Sequence, residues 1–424
     1  MKLERDVLKS ELESQDVTAD AIVVEGKVHR RVLNSAQTYM TAAGPVVVTR
    51  GLYKDRTDES ARAIVPLDRK LGIVDGFWTP LAAQQASWVV TQMTPGKAEE
   101  LFERVGNMQP SKASLDRLPK EVSRQWEKGR ELHEEALREA CHVPEGTKLV
   151  AVSLDGVMAP MADGGRTEKR EKTAGEGKLT RGPAGYREIG CATLSFCDAK
   201  GEMLSAIRIA RAPEEGKSTL KKQLQAELLV VLAKNPKLKM VKIADGAEDN
   251  WTYLSVLLPE APEILDYFHA CEQLHGAVAA AYGDGTREAR QRFDRLKEVL
   301  RDDDDGVTQV IASLKYLQKR HARSAAISGP LAYFRRHRKR MQYASFKAAG
   351  YPIGSGVVEA ACKTLVTQRL KLSGMRWSME GAQAILTPRG WDQSDRFDEA
   401  WALLAATYQT QVTLLSNVIP LRPN

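Results

Sequence analysis

The stretch K-L-V-A-V-S-L-D-G, residues 148–156, decides how this chain is read. Lys148–Leu154 is an apolar run of strand length closed by Asp155-Gly156, the pattern of a buried strand that ends on a carboxylate. The signature returns in Lys239–Ala244, followed by Asp245-Gly246. A third acid, Glu359 in I-G-S-G-V-V-E-A-A-C-K, opens a helix-like segment instead. Two strand-end aspartates and a helix glutamate offer the oxygen donors that hard cations such as Mg²⁺ prefer. A pair of such cations can activate an attacking hydroxyl while stabilising the leaving oxygen of a phosphodiester. The residues therefore point to nuclease or strand-transfer chemistry.

Outward from this stretch, Met158–Gly185 is a Gly- and Lys-rich excursion too hydrophilic to pack, and reads as a mobile loop. Arg187–Phe196 and Glu202–Ala210 predict a hairpin around Asp198-Ala199-Lys200-Gly201. Lys217–Lys234 reads as an amphipathic helix, Glu248–Leu258 as a helix and Glu263–Phe268 as a short strand. The order strand, hairpin, helix, strand, helix, strand predicts an α/β RNase H-like catalytic domain. From Ala270 to about Ala349 the pattern is helical, an all-α insertion between the second Asp and the Glu. It breaks at Asp302–Gly306 and carries the basic run Arg335–Arg340. Beyond Glu359 a helix is expected to about Leu372, with further helices at Ser378–Leu386 and Asp398–Leu415 after a break at Pro388-Arg389-Gly390.

Upstream, Thr38–Tyr53 predicts two short strands broken at Gly44-Pro45, and helical patterns follow at Thr79–Met93, Lys97–Val105 and Lys112–Ala140. These could form a helix-turn-helix reader of the major groove, with Lys112, Arg117, Lys120 and Arg124 facing DNA, or a purely structural bundle. The expected domains are 1–75, an N-terminal helix and small β element; 76–145, a mainly helical DNA-binding region; and 146–269, the first part of the catalytic core. The insertion at 270–349, the second part of the core at 350–390 and a helical tail at 391–424 complete the chain. No internal repeat is visible.

Lys and Arg number 62 against 55 Asp and Glu, a net charge of +7, compatible with a polyanionic partner and with an ordinary basic surface alike. Five cysteines without a C-x-x-C pair argue against a disulfide framework or zinc ribbon and for reduced thiols. The N-terminus is charged throughout, and no segment reaches bilayer-spanning length, so a cytoplasmic protein without a membrane partner is expected.

The block Gly354–Leu386, G-S-G-V-V-E-A-A-C-K-T-L-V-T-Q-R-L-K-L-S-G-M-R-W-S-M-E-G-A-Q-A-I-L, with S-L-D-G at 153–156 and I-A-D-G at 243–246, resembles DDE transposases of the ISKra type from bacterial insertion sequences. G-P-V-V-V at 44–48 and P-L-D-R-K-L-G-I at 66–73 are similar in order to the same family. The resemblance implies that Asp155, Asp245 and Glu359 are the metal-binding triad of a retroviral-integrase-like fold using two Mg²⁺ or Mn²⁺ ions. It also implies the insertion seen in transposases related to the Mutator group. Relatives carry an acid or Cys, two residues and a His after the second Asp; Asp266-Tyr267-Phe268-His269 fits. Cys pairs found near the N-terminus of some members are absent here, so no zinc element is expected there. Double-stranded DNA, as transposon ends and target, a homodimer or larger synaptic complex, and a nucleoid-associated bacterial location follow as expectations.

Each candidate has an ordinary reading beside the functional one. Asp155 could cap a turn, and Glu359 could be an exposed helix residue. His269 could organise the acids, orient a phosphate or the attacking water, or be a hydrogen-bonded histidine at a strand edge. Arg369, Lys371 and Arg376 could hold phosphates and Trp377 could stack on an unpaired base, or Trp377 could pack in the core. Trp251 reads as core and His275 as structural. The expected enzyme cuts the inverted ends of its element and joins the freed 3′-hydroxyls to target DNA. A regulatory or relic DNA-binding protein without catalysis is the alternative. A two-carboxylate glycoside hydrolase is disfavoured by basic charge and by aromatics at 6% of residues.

Overall fold

The computed structural model describes residues 2–55, 60–162, 175, 185–321, 324–354 and 356–415. Two compact units emerge: Met1–Leu137 with Glu380–Asn424, and Arg138–Met379. The segment expected as one piece over 350–390 is thus divided between them at 379/380.

In the first unit, helix α1 (Lys2–Ser14) precedes strands β1 (Ala21–Val24), β2 (Lys27–Thr41) and β3 (Gly44–Lys54). The long β2–β3 hairpin starts well before Thr38, because polar residues alternate along its half-exposed first part where an apolar run gives no signal. Helices α2 (Pro66–Leu71), α3 (Pro80–Gln92), α4 (Pro95–Val105), α5 (Lys112–Lys128) and α6 (Arg130–Ala140) follow. Leu115, Leu118, Val122 and Trp126 put the apolar stripe of α5 into the core, and Ser111 caps it by accepting from Ser114 N at 3.2 Å. The expected single helix Lys112–Ala140 breaks at Gly129, where an added Cβ would meet the His133 ring at 2.7 Å.

The second unit is built on a five-stranded mixed sheet of order β6-β5-β4-β7-β8: β4 (Leu149–Pro160), β5 (Tyr186–Cys197), β6 (Met203–Arg211), β7 (Lys239–Ala244) and β8 (Glu263–Leu265). β4, β5 and β6 are antiparallel, whereas β7 and β8 run parallel to β4. Helix α7 (Ser218–Lys234) makes the crossover to β7, and α8 (Glu248–Leu257) the one to β8. This arrangement is compatible with the RNase H-like expectation. β7 carries a buried cation, Lys242, answered in register by Glu263 of β8 at 3.2 Å.

Four helices follow, α9 (Tyr267–Tyr282), α10 (Arg287–Asp302), α11 (Gly306–Arg320) and α12 (Ser324–Arg336), then α13 (Tyr343–Ala348). α14 (Gly356–Ala361) passes into a π-helical turn, Cys362–Thr367, and a last turn, Gln368–Leu370. In the first unit, α15 (Met379–Asp392), α16 (Phe397–Tyr408) and β9 (Val412–Leu414) close the described chain, β9 pairing with β1.

Four expectations are corrected. β4 does not stop at Asp155 but runs to Pro160 along β5, so Met158–Pro160 is strand, while 163–174 and 176–184 of the expected loop lie outside the described residues. α15 continues through Pro388 instead of breaking there, and the final stretch of Asp398–Leu415 is strand rather than helix. Glu263–Phe268 is strand only to Leu265; Asp266 caps α9, which places His269 on the first helical turn.

Candidate active site

The six residues Leu149–Leu154 are buried between both neighbours of the central strand, and exposure begins at Asp155. Ser153 pairs with Ile243 across the parallel β4–β7 ladder, so two residues further along each strand Asp155 and Asp245 stand side by side. β7 ends at Ala244 while β4 continues, and the gap this opens is where both carboxylates emerge.

Local hydrogen bonds fix each acid. Asp155 Oδ1 accepts from Gly156 N at 2.7 Å, and the Cys362 thiol donates to Oδ2 at 3.5 Å. Asp245 Oδ1 accepts from Ala247 N at 3.1 Å and Asn250 Nδ2 at 3.2 Å. Asn250, 2% exposed, also donates to Leu154 O at 3.2 Å and so ties the Asp245 turn to β4 next to Asp155. Trp251 Nε1 donates to Asp245 O at 2.6 Å. Gly246 is required by packing: a Cβ there would meet the Tyr333 ring at 2.5 Å.

Burial raises the Asp155 pKa above the ordinary carboxylate value, and the like charge of Asp245 adds to the effect. Cys362 is pushed far up by its bond to Cys191, by burial and by Asp155, and therefore stays a thiol able to donate. Cys191 stands opposite Asp155 on β5.

Glu359 comes to this place through tertiary contacts. Tyr267 N donates to Ile353 O at 3.0 Å, tying the segment before α14 to the start of α9, and Gly354 lets Phe268 approach. Asp266 is 0% exposed and caps α9, accepting from His269 N at 2.7 Å. His269 Nδ1 lies 3.2 Å from Asp266 Oδ1 and 3.6 Å from Glu359 Oε1. Hydrogen bonding to Asp266 outweighs burial and raises the His269 pKa to about 9, so its ring is a cation at neutral pH. Asp266, His269 and Glu359 offer three donor atoms within 4.8 Å of one another.

Among the described residues the donor atoms that lie close enough together for one cation are those of Asp266, His269 and Glu359, while Asp155 and Asp245 form a separate pair of neighbouring carboxylates; the carboxylate oxygens are donors of the kind a hard divalent cation prefers. The D-x-x-H spacing read from the sequence holds both Asp266 and His269, but only His269 was expected to act; the structure shows Asp266 as the helix cap that holds the His269 ring. Asn250 and Cys362, which hold Asp245 and Asp155, have no such signal in the sequence.

The residues expected to contact DNA fall into three settings. Arg369 is 1% exposed and lies over the Trp377 ring, 5.5 Å from its centroid, so its guanidinium faces protein; Trp377 is half-buried and donates from Nε1 to Leu370 O at 2.9 Å. Lys371 and Arg376 are exposed. On α5, Arg117 lies 3.6 Å from Asp75, Lys120 2.5 Å from Asp116 and Arg124 2.7 Å from Glu121, while the Lys112 side chain is exposed.

No family model matches this chain, and no curated protein matches it. Among solved structures it is similar to the Drosophila P element transposase strand transfer complex, at a TM-score of 0.29 and 11% identity over 79% of this chain and 82% of that one. A likeness of that size carries no weight for mechanism, and the ISKra-type resemblance rests on the sequence blocks alone. No helix among the described residues is long and apolar enough to cross a membrane.

Proposed function

We propose that the chain is a DDE-type DNA transposase, of the ISKra type that its sequence blocks resemble. On this reading it acts on double-stranded DNA at the terminal inverted repeats of an insertion sequence. The observation that carries the proposal is the strand register that sets Asp155 beside Asp245 where β7 ends, with the His269–Glu359 pair belonging to the same electrostatic cluster. Asp155, Asp245 and Glu359 would hold two Mg²⁺ or Mn²⁺ ions, which when bound supply Lewis-acid activation of the attacking hydroxyl and charge stabilisation at the leaving oxygen.

The protein's own part is positioning. Asn250 and the Ala247 amide keep the Asp245 carboxylate from turning. The Cys362 thiol and Gly156 amide do the same for Asp155. Asp266 holds His269 so that its charged ring aims Glu359. Two DNA ends must be joined in one reaction, so a dimer or larger assembly belongs to this reading.

The test is cleavage of labelled DNA carrying the element's own flanking repeats, with Mg²⁺ or Mn²⁺ and with EDTA. Metal-dependent nicking at the repeat boundary, lost in Asp245→Asn, is expected. Binding without nicking in both proteins would replace this reading by that of a regulatory or relic DNA binder.

A further inference from the structure

We infer that the basic run Arg335–Arg340 and α8 together form a pocket that holds one backbone phosphate of bound DNA beside the carboxylates. This rests on the reading above for the identity of the polymer, though not for its cleavage.

The pocket has a volume of about 240 Å³. Gly246, Trp251 and Thr252 form one side, and Arg336, His337 and Arg340 the other. Gly246, on the pocket lining, follows Asp245 directly, so the pocket adjoins the carboxylates.

Arg340 is immobilised: its Nε donates to Glu263 Oε2 at 2.6 Å, and its guanidinium lies 4.0 Å from the centroid of Trp251. Its Nη1 lies 3.2 Å from His337 Nδ1. Burial, Arg340 and Arg336 lower the pKa of His337, so the ring is neutral. With Nδ1 accepting from Arg340, the ring proton sits on Nε2, which makes a 3%-exposed wall residue a hydrogen-bond donor.

Arg336 completes the set. It is exposed, and among the described residues it has no carboxylate within ion-pair distance, unlike Arg340. A fixed cation, a neutral donor and a cation available for bidentate pairing match the oxygens of a phosphodiester. Glu248 is the opposing charge on the lining, exposed at the start of α8, while Glu263 is already answered by Lys242 and Arg340.

Size selects the occupant. Sites for whole drug-sized ligands begin at roughly 300 Å³, so this pocket suits a phosphate with its sugar better than a free nucleotide. The pocket would hold the substrate strand in register while the carboxylates act on a neighbouring phosphate.

The test is binding of the full chain to a duplex oligonucleotide in EDTA, by fluorescence anisotropy over a series of salt concentrations. Each phosphate contact contributes roughly 0.9 to the slope of log affinity against log salt. Arg336→Gln should lower that slope by about 0.9 with an unchanged melting curve, and Thr252→Glu should weaken binding. Arg335→Gln and Lys339→Gln, in the same run but off the pocket, should lower the slope much less.

An unchanged slope in Arg336→Gln overturns the pocket, as does an equal fall in all three cation variants, which would mean diffuse attraction. A nucleoside triphosphate or inorganic phosphate that binds the wild type through Arg336 without displacing DNA overturns the DNA phosphate as occupant. A wild type that binds no DNA at all overturns the transposase reading, and a wild type that binds but does not cleave leaves the pocket standing.

Discussion

The carboxylate site and the exposed face of α5 are both rich in charge, but they are organised in opposite ways. On α5, Lys120 and Arg124 find Asp116 and Glu121 three or four residues away, and Arg117 reaches Asp75. Such pairs are what a solvated helix surface builds for itself, each contributing a few tenths of a kcal/mol. Where β7 ends beside β4, Asp155 and Asp245 stand together with the same sign, and burial first, then the charge of Asp245, raises the Asp155 pKa. Bringing like charges together costs stability, and folds tend to retain such a cost where chemistry needs it. On α5 the charges are answered by neighbours in sequence; among the carboxylates like charges are held together, and the cation that faces them, His269, is brought in by tertiary structure.

The largest effect should come from breaking the site. Asp155→Asn is expected to lower metal-dependent cleavage by about a thousandfold or more, some 4 kcal/mol of barrier, in a single-turnover nicking assay. The same variant should melt higher in metal-free buffer, by about 1 kcal/mol, since it removes a buried like charge. A variant that loses cleavage and also loses stability would mean that Asp155 is structural.

Gly246→Ala comes next. Its methyl group would meet the Tyr333 ring, with an expected cost of about 1–3 kcal/mol in denaturant unfolding, and Tyr333→Ala in the same chain should restore much of it. Absence of rescue would show that Tyr333 does not set the Asp245 loop.

His269→Gln is expected to reduce cleavage by roughly 10–100-fold, and it carries a pH signature. The folded-state pKa of His269 is raised to about 9 from 6.5. Its ion pairs therefore stabilise fully below pH 6.5 and are lost as pH rises through about 9. In metal-free buffer the wild-type melting temperature should fall across that window more steeply than that of His269→Gln. Parallel curves would show that the ring does not pair with Asp266 and Glu359 as a cation.

The smallest effect is assigned to α5. Lys120→Ala and Arg124→Ala should each change stability by no more than about 0.5 kcal/mol and leave duplex affinity within a few fold. A tenfold loss of affinity in either would make this face a DNA reader.

Legibility follows the same division. β7 is found at its predicted bounds, Lys239–Ala244, because a short apolar run closed by Asp-Gly is a local signal. α4 ends at Val105 as read from sequence, since Gly106 with φ 105° stops it. β4 was misjudged at its far end because Val157–Pro160 are held by pairing with β5 and not by their own pattern. Arg369 was read as a DNA contact from its charge, yet it is buried over Trp377. Sequence spacing cannot reveal that, because the two meet through a turn.

What the sequence by itself determined is the list of acids and the elements that carry them: Asp155 on a strand, Asp245 just past the end of another and Glu359 on a helix, set by apolar runs and a Gly-rich entry to the helix. What only the tertiary structure decided is their company. The β4–β7 register puts Asp155 next to Asp245. The Asp266 cap and the Tyr267–Ile353 hydrogen bond bring His269 to Glu359. Arg340 is laid on Trp251 beside the exposed Arg336, for which no such partner is found among the described residues. Local pattern fixes backbone periodicity and burial, but the distance between residues a hundred positions apart is set by packing, and packing is where like charges can be held together against their repulsion.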